Sequence, residues 1–141
     1  MRKCNIITLV LYICLMMSSI CLGGCAIGEM TDEKQKDLEF TVVAQKDMPE
    51  KLQEVIDEKQ ENAFQISFTL GDALYIAVGY GEQQTGGYSI CVNELYETEN
   101  AIVIDTTLIG PDSEEKVAES ASYPYIVVKT EVIENKPIEF K

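Results

Sequence analysis

Ala73-Leu74-Tyr75-Ile76-Ala77-Val78 is apolar at every position, where a strand with one face in water would alternate. A strand apolar on both faces belongs in the middle of a sheet, covered above and below. Just upstream, Phe64, Ile66, Phe68 and Leu70 alternate with Gln65, Ser67 and Thr69, and Gly71-Asp72 between the two runs supplies a tight reversal. Just downstream comes Gly79-Tyr80-Gly81-Glu82-Gln83-Gln84-Thr85-Gly86-Gly87-Tyr88-Ser89-Ile90, which leads into a strand from Tyr88 to Tyr96. Its paired glycines suit backbone with φ > 0, which a Cβ resists. The plain reading of this loop is a hairpin needing glycine for its geometry. The functional reading is a recognition loop held between two strands.

Further outward, Glu97-Thr98-Glu99-Asn100 is a polar turn into the β-branched run Ala101 to Leu108. Gly110-Pro111 breaks that strand, and Asp112 to Ser122 is an acidic loop of small residues with no period. Tyr123 to Val132 is the last long strand, with Pro124 at its start, where a missing N–H costs least. Residues 137–140 add a short final strand. On the upstream side, Asp47-Met48-Pro49-Glu50 predicts a helix start with Asp47 as cap. Met48, Leu52, Val55, Ile56 and Ala63 then form an apolar stripe that covers a sheet. Leu38-Glu39-Phe40-Thr41-Val42 alternates as a half-exposed strand does. Consecutive strands with short turns predict an antiparallel meander. The fold class is therefore mainly β (α+β): a small antiparallel β sandwich or barrel with one covering N-terminal helix, over residues 38–141.

The first residues carry an address. Arg2 and Lys3 precede an apolar run from Ile6 to Met17, and small residues lead to Leu22-Gly23-Gly24-Cys25. A basic start, a short apolar core and small residues describe a signal peptide, here residues 1–24. Leu22-Gly23-Gly24-Cys25 resembles a bacterial lipobox, which implies cleavage before Cys25 and lipidation of its thiol, with palmitate among the acyl chains. The competing readings are a plain secreted protein and an uncut anchor. Residues 25–37 read as the acylated cysteine and a flexible polar tether. The expected location is the extracytoplasmic face of the cell membrane, through the lipid anchor.

Of 141 residues, 24 are acidic and 11 basic. Loss of Arg2 and Lys3 with the signal leaves 9 lysines against all 24 acids, a formal charge of −15. Such a chain lacks the basic patch that nucleic acid requires. The chain has no histidine, which removes Ser-His-Asp and Cys-His catalysis and histidine-containing zinc sites. Cys4, Cys14 and Cys21 lie in the signal, so with Cys25 lipidated only Cys91 stays free, and it reads as a partly buried strand residue. No Gly-rich phosphate loop is present. Asp112, Glu114 and Glu115 are close in sequence, but they lack calcium-loop spacing and read as a solvated loop, so a hydrolase built on carboxylates is the weakest hypothesis. No catalytic residue, metal or cofactor is expected, and the chain is read as no enzyme. What remains is binding, through Gln84, Thr85, Gly86, Gly87 and Tyr88, with Tyr80 beside them. Tyr123 and Tyr125 either join this loop or pack inside.

Gly81-Glu82-Gln83-Gln84-Thr85-Gly86-Gly87-Tyr88 together with Ser122-Tyr123-Pro124-Tyr125-Ile126-Val127-Val128-Lys129 resembles the protease complex subunit PrcB family, in its C-terminal domain. That family shows a G-x-x-P-T-G-G-Y loop and a later P-Y strand, and the likeness runs from about Leu38 to Phe140. Gln84 stands where the family has proline, whose fixed φ would stiffen the loop. The resemblance implies a non-catalytic surface lipoprotein that binds protein and associates with or stabilises a protease complex. A fainter likeness, of Thr85-Gly86-Gly87-Tyr88 to the loop of chagasin-type inhibitors, gives the alternative of a peptidase inhibitor using the same loop.

Overall fold

The computed structural model describes residues 33–141. The expected signal peptide, Cys25 and most of the expected tether lie outside the described residues. In order, the elements are β1 (Lys36–Asp37), β2 (Thr41–Val42), a short 3-10 turn (Gln45–Asp47), α1 (Glu50–Lys59), β3 (Ala63–Leu70), β4 (Ala73–Tyr80), β5 (Ser89–Glu97), β6 (Ile102–Ile109), β7 (Tyr125–Glu131) and β8 (Ile138–Phe140). They form two four-stranded sheets, an outer one ordered β1-β5-β6-β8 and a middle one ordered β2-β7-β4-β3. Every pairing is antiparallel except β6 with β8. The sheets make a sandwich, and no barrel closes.

β4 explains the layering. Leu74, Ile76 and Val78 point into the core between the sheets with Leu95, Ile102, Ile104 and Val128. Ala73, Tyr75 and Ala77 point the other way, into a second core with Leu52, Ile56, Phe64 and Val127. β4 lies between β3 and β7 and is covered by a sheet on one face and a helix on the other, as its unbroken apolar run predicts. Leu52 and Ile56 carry the covering stripe of α1, with Met48 partly buried beside them, whereas Ala63 belongs to β3 and is exposed.

The structure corrects several expectations. The loop after β4 is not a hairpin. β4 already has β3 and β7 as neighbours, so the chain leaving it crosses to the outer sheet, where β5 pairs with β6 and β1. Only β3–β4 and β5–β6 are joined by tight turns, so the strands form a sandwich and not a meander. Leu38 to Val42 is likewise not one strand. Lys36 and Asp37 pair with β5, Leu38 is buried between the sheets, and Thr41 and Val42 pair with β7. The folded part therefore begins before Leu38, since Gln35 N–H already donates to the Glu97 carbonyl at 2.8 Å. Asp47 makes no capping bond: it ends the 3-10 turn, and Pro49 occupies the cap position of α1. Cys91 is exposed, not partly buried. Ile90 and Val92 face inward, and an irregularity between Val92 and Glu94 then shifts the inward phase to Leu95.

Candidate functional site

The crossing loop, residues 81–88, is built as one half of a pair. Its other half is the long segment 110–124. Tyr80 N–H donates to the Pro124 carbonyl at 3.1 Å, which brings the two segments together where β4 ends and β7 begins. Gln83 and Ser122 then form an isolated antiparallel bridge, with N–H···O distances of 2.8 and 3.0 Å. Ser122 Oγ donates to the Thr85 carbonyl at 2.6 Å, and Gly86 N–H donates to the Ala118 carbonyl at 2.9 Å. Gln83 Nε2 closes back on the Tyr80 carbonyl at 3.2 Å.

The two glycines have different reasons to be glycine. Gly86 keeps φ in the ordinary range, and a Cβ there would touch Ala118 at ordinary contact distance. Gly87 has φ 84°, and a Cβ there would run into Val117 Cγ1 and stand 2.9 Å from Pro111 Cβ. The tight approach of segment 110–124 therefore fixes Gly87 as strongly as its dihedral does. Tyr88 lays its ring against Gly110, 3.4 Å from the position of a Cβ there, and holds the loop's exit.

Of the expected binding residues, Gln84 and Gly87 are exposed, while Thr85, Gly86 and Tyr88 are half-buried. The loop thus leaves Gln84 and Gly87 exposed, with the Gly86 N–H already used within the fold. Tyr80 does not flank it. Its hydroxyl meets both the carbonyl and Oγ1 of Thr106 at 2.9 Å, tying the middle sheet to the outer one. Tyr123 joins the loop, donating to Glu82 Oε2 at 3.1 Å, and Tyr125 packs inside against the helix side of the middle sheet. The Glu82 carboxylate raises the Tyr123 phenol above its ordinary value, because it accepts a hydrogen bond from the neutral phenol and repels a phenolate. Glu82, Ala118 and Ser122 were not among the expected site residues. Glu82 and Ser122 stood inside the quoted motifs and Ala118 did not, and the partnership of Ser122 with Thr85 joins residues far apart in the chain.

Asp112, Glu114 and Glu115 are exposed in the same long segment. Among the described residues, no three acidic or cysteine side chains gather as a metal site would require. No described helix is long and apolar enough to cross a membrane. The loop lines neither of two grooves, of about 820 and 600 Å³, that open elsewhere on the domain.

The geometry defines a β-sandwich module with one covering helix and a stapled loop pair joining its two sheets. Residues 74–131 match the family model PrcB C-terminal. The match runs from β4 through β7 and contains both halves of the loop pair. It is shorter than the span expected from about Leu38 to Phe140: β1, β2, α1, β3 and β8 lie outside it. No curated protein and no solved structure matches the chain.

Proposed function

We propose that the chain is a surface lipoprotein, held through Cys25 at the extracytoplasmic face of the cell membrane, whose folded domain is a non-catalytic protein-binding module. Its role is to associate with or stabilise a protease complex. The observation that carries this reading is the PrcB C-terminal match over residues 74–131, the stretch that contains the stapled loop. The loop's form supports it. An exposed Gln84 held by backbone bonds on both sides, at Gln83 and Gly86, offers a pre-ordered surface to a partner at little entropic cost. In the alternative reading the same loop enters a peptidase cleft, and the rigidity that Gln83, Thr85 and Gly86 give it favours that use equally.

Capture from detergent-solubilised membranes tests the module. Gln84→Arg changes only this exposed side chain and should weaken retention of the natural partner by about tenfold or more. A folded Gln84→Arg protein that keeps all its partners at wild-type levels removes the loop from the interface. Inhibition of papain-like or secreted proteases by the domain at micromolar concentration would select the inhibitor reading. The anchor is tested separately, since Cys25→Ser should abolish incorporation of labelled fatty acid, and persistent labelling would overturn it.

A further inference from the structure

The four sheet edges are finished very differently. β1 and β2 have two residues each and β8 has three, and β1 and β8 carry Lys36, Asp37 and Glu139. Short, charged edge strands are how proteins discourage edge-to-edge pairing. β3 has none of these devices. Its eight residues, Ala-Phe-Gln-Ile-Ser-Phe-Thr-Leu, include no charge and no proline, in a chain that is 25% charged. Its register with β4 runs unbroken from Ala63 to Leu70, with no bulge to twist the edge away.

The two-residue Gly71-Asp72 turn makes Leu70 and Ala73 the last hydrogen-bonded pair of the hairpin. Alternation then points the N–H and C=O groups of Gln65, Ser67 and Thr69 away from β4, towards the open edge. Among the described residues, no backbone group bonds to them from that side. The side chains divide by face. Phe64, Ile66 and Phe68 lie on the helix side, with Leu70 continuing that row at 54% exposure. Gln65, Ser67 and Thr69 are exposed on the other face.

We infer that β3 pairs antiparallel with β3 of a second copy of this chain, about a two-fold axis at Ser67, joining two middle sheets into one of eight strands. In that register Ser67 faces its own equivalent, Gln65 faces the second copy's Thr69, Ile66 faces its Phe68, and Phe64 faces its Leu70. Every outward backbone group of the three polar residues gains a partner. Apolar side chains meet apolar ones on one face and polar meet polar on the other, so the strand is complementary to itself as an isologous contact requires. Shifting the axis to Ile66 also matches the faces but sets Leu70 against Asn62, so the exposed leucine selects the Ser67 axis. Self-complementarity in this register selects a second copy as occupant, and the uncharged strand is where two strongly acidic chains approach with least repulsion.

The test uses the processed, lipidated chain in density-matched detergent, in a Cys91→Ser background that leaves no other free thiol. Sedimentation should show a concentration-dependent dimer. Ser67→Cys should cross-link under mild oxidation, because a directly opposed pair places its Cα atoms about 5.5 Å apart, within disulfide reach. Thr69→Cys, whose partner position is residue 65, should cross-link far less. Ser67→Lys sets like charges face to face at the axis and should weaken the dimer about tenfold or more, with an unchanged circular dichroism spectrum. A monomeric wild type at all concentrations overturns the inference and leaves the edge to a strand from a different protein. So does a dimer that Ser67→Lys leaves intact, or equal cross-linking at positions 67 and 69.

Discussion

Gly79 shows what one residue decides here. As the first residue of a glycine-rich stretch it reads as part of a turn, yet it sits within β4, buried, opposite Phe64 on one side and Tyr125 on the other. A Cβ at position 79 would enter the Phe64 ring, 2.6 Å from both Cδ1 and Cζ. The glycine is there to seat an aromatic ring beneath α1, and its φ is unexceptional. Gly79→Ala should therefore destabilise the fold by about 1–3 kcal/mol through overpacking. Pairing it with Phe64→Leu should cost less than the sum of the two single changes, because the branched side chain vacates part of the ring's space. Urea unfolding of the four proteins measures the coupling, and strict additivity would dissociate the glycine from the ring. From sequence alone a packing glycine and a turn glycine look the same, since the distinguishing fact is a ring fifteen positions away. Gln84 gives the converse case. Without a proline the loop lacks a fixed φ at that position, yet the Gln83–Ser122 bridge and the Ser122–Thr85 bond hold it on both sides.

Among the elements, α1 was readable because its apolar stripe has helical period and only one stripe is apolar. It has ten residues, too few for a stable isolated helix, so it persists through what it buries. Leu52 and Ile56 are 1% and 0% exposed, and they seat on Phe64, Ala77 and Val127 of the middle sheet. Ile56→Ala should cost about 2–5 kcal/mol. The helix lies at one face, away from the core between the sheets, so hydrogen exchange should rise first in α1 and β3. Uniform acceleration across β5 and β6 would mean that the two cores unfold as one. The helix start was less readable, because the Asp47 capping signal competes with the 3-10 turn that the residue ends. In β5 a single irregularity between Val92 and Glu94 reversed the face of every residue beyond it, whereas Cys91, before it, is in solvent because Ile90 and Val92 take the inward positions. Such an inserted residue leaves no compositional mark.

For the whole molecule, periodicity told which strands are buried but not which sheet each one joins. Alternation fixes faces, whereas sheet membership depends on which neighbours are already taken. β4 left no free edge for β5, and so the most glycine-rich connection became a crossover between sheets. Composition fixes a further global property that geometry only modulates. The chain carries 24 acidic residues against 11 basic ones. Lys34 reaches Asp37 at 2.6 Å and Glu94 at 2.9 Å, and Lys36 reaches Glu131 at 3.1 Å, all at exposed positions. Exposed pairs of this kind contribute little, and salt weakens them. Among the described residues, only Lys136–Glu97, at 2.6 Å, is well shielded, with side chains 18% and 21% exposed. Salt also screens the mutual repulsion of the excess carboxylates, which opposes compaction of the entire domain. With acids more than twice as numerous as bases, the second effect should win. Raising NaCl from about 0.02 to about 0.5 M at pH 7 should therefore raise Tm by roughly 2–6 °C, the shift expected for about 1 kcal/mol in a domain of this size. Thermal melts followed by circular dichroism read the sign directly. A Tm that falls with NaCl would mean that the few ion pairs outweigh the net charge, and Lys34→Ala would then abolish part of that fall.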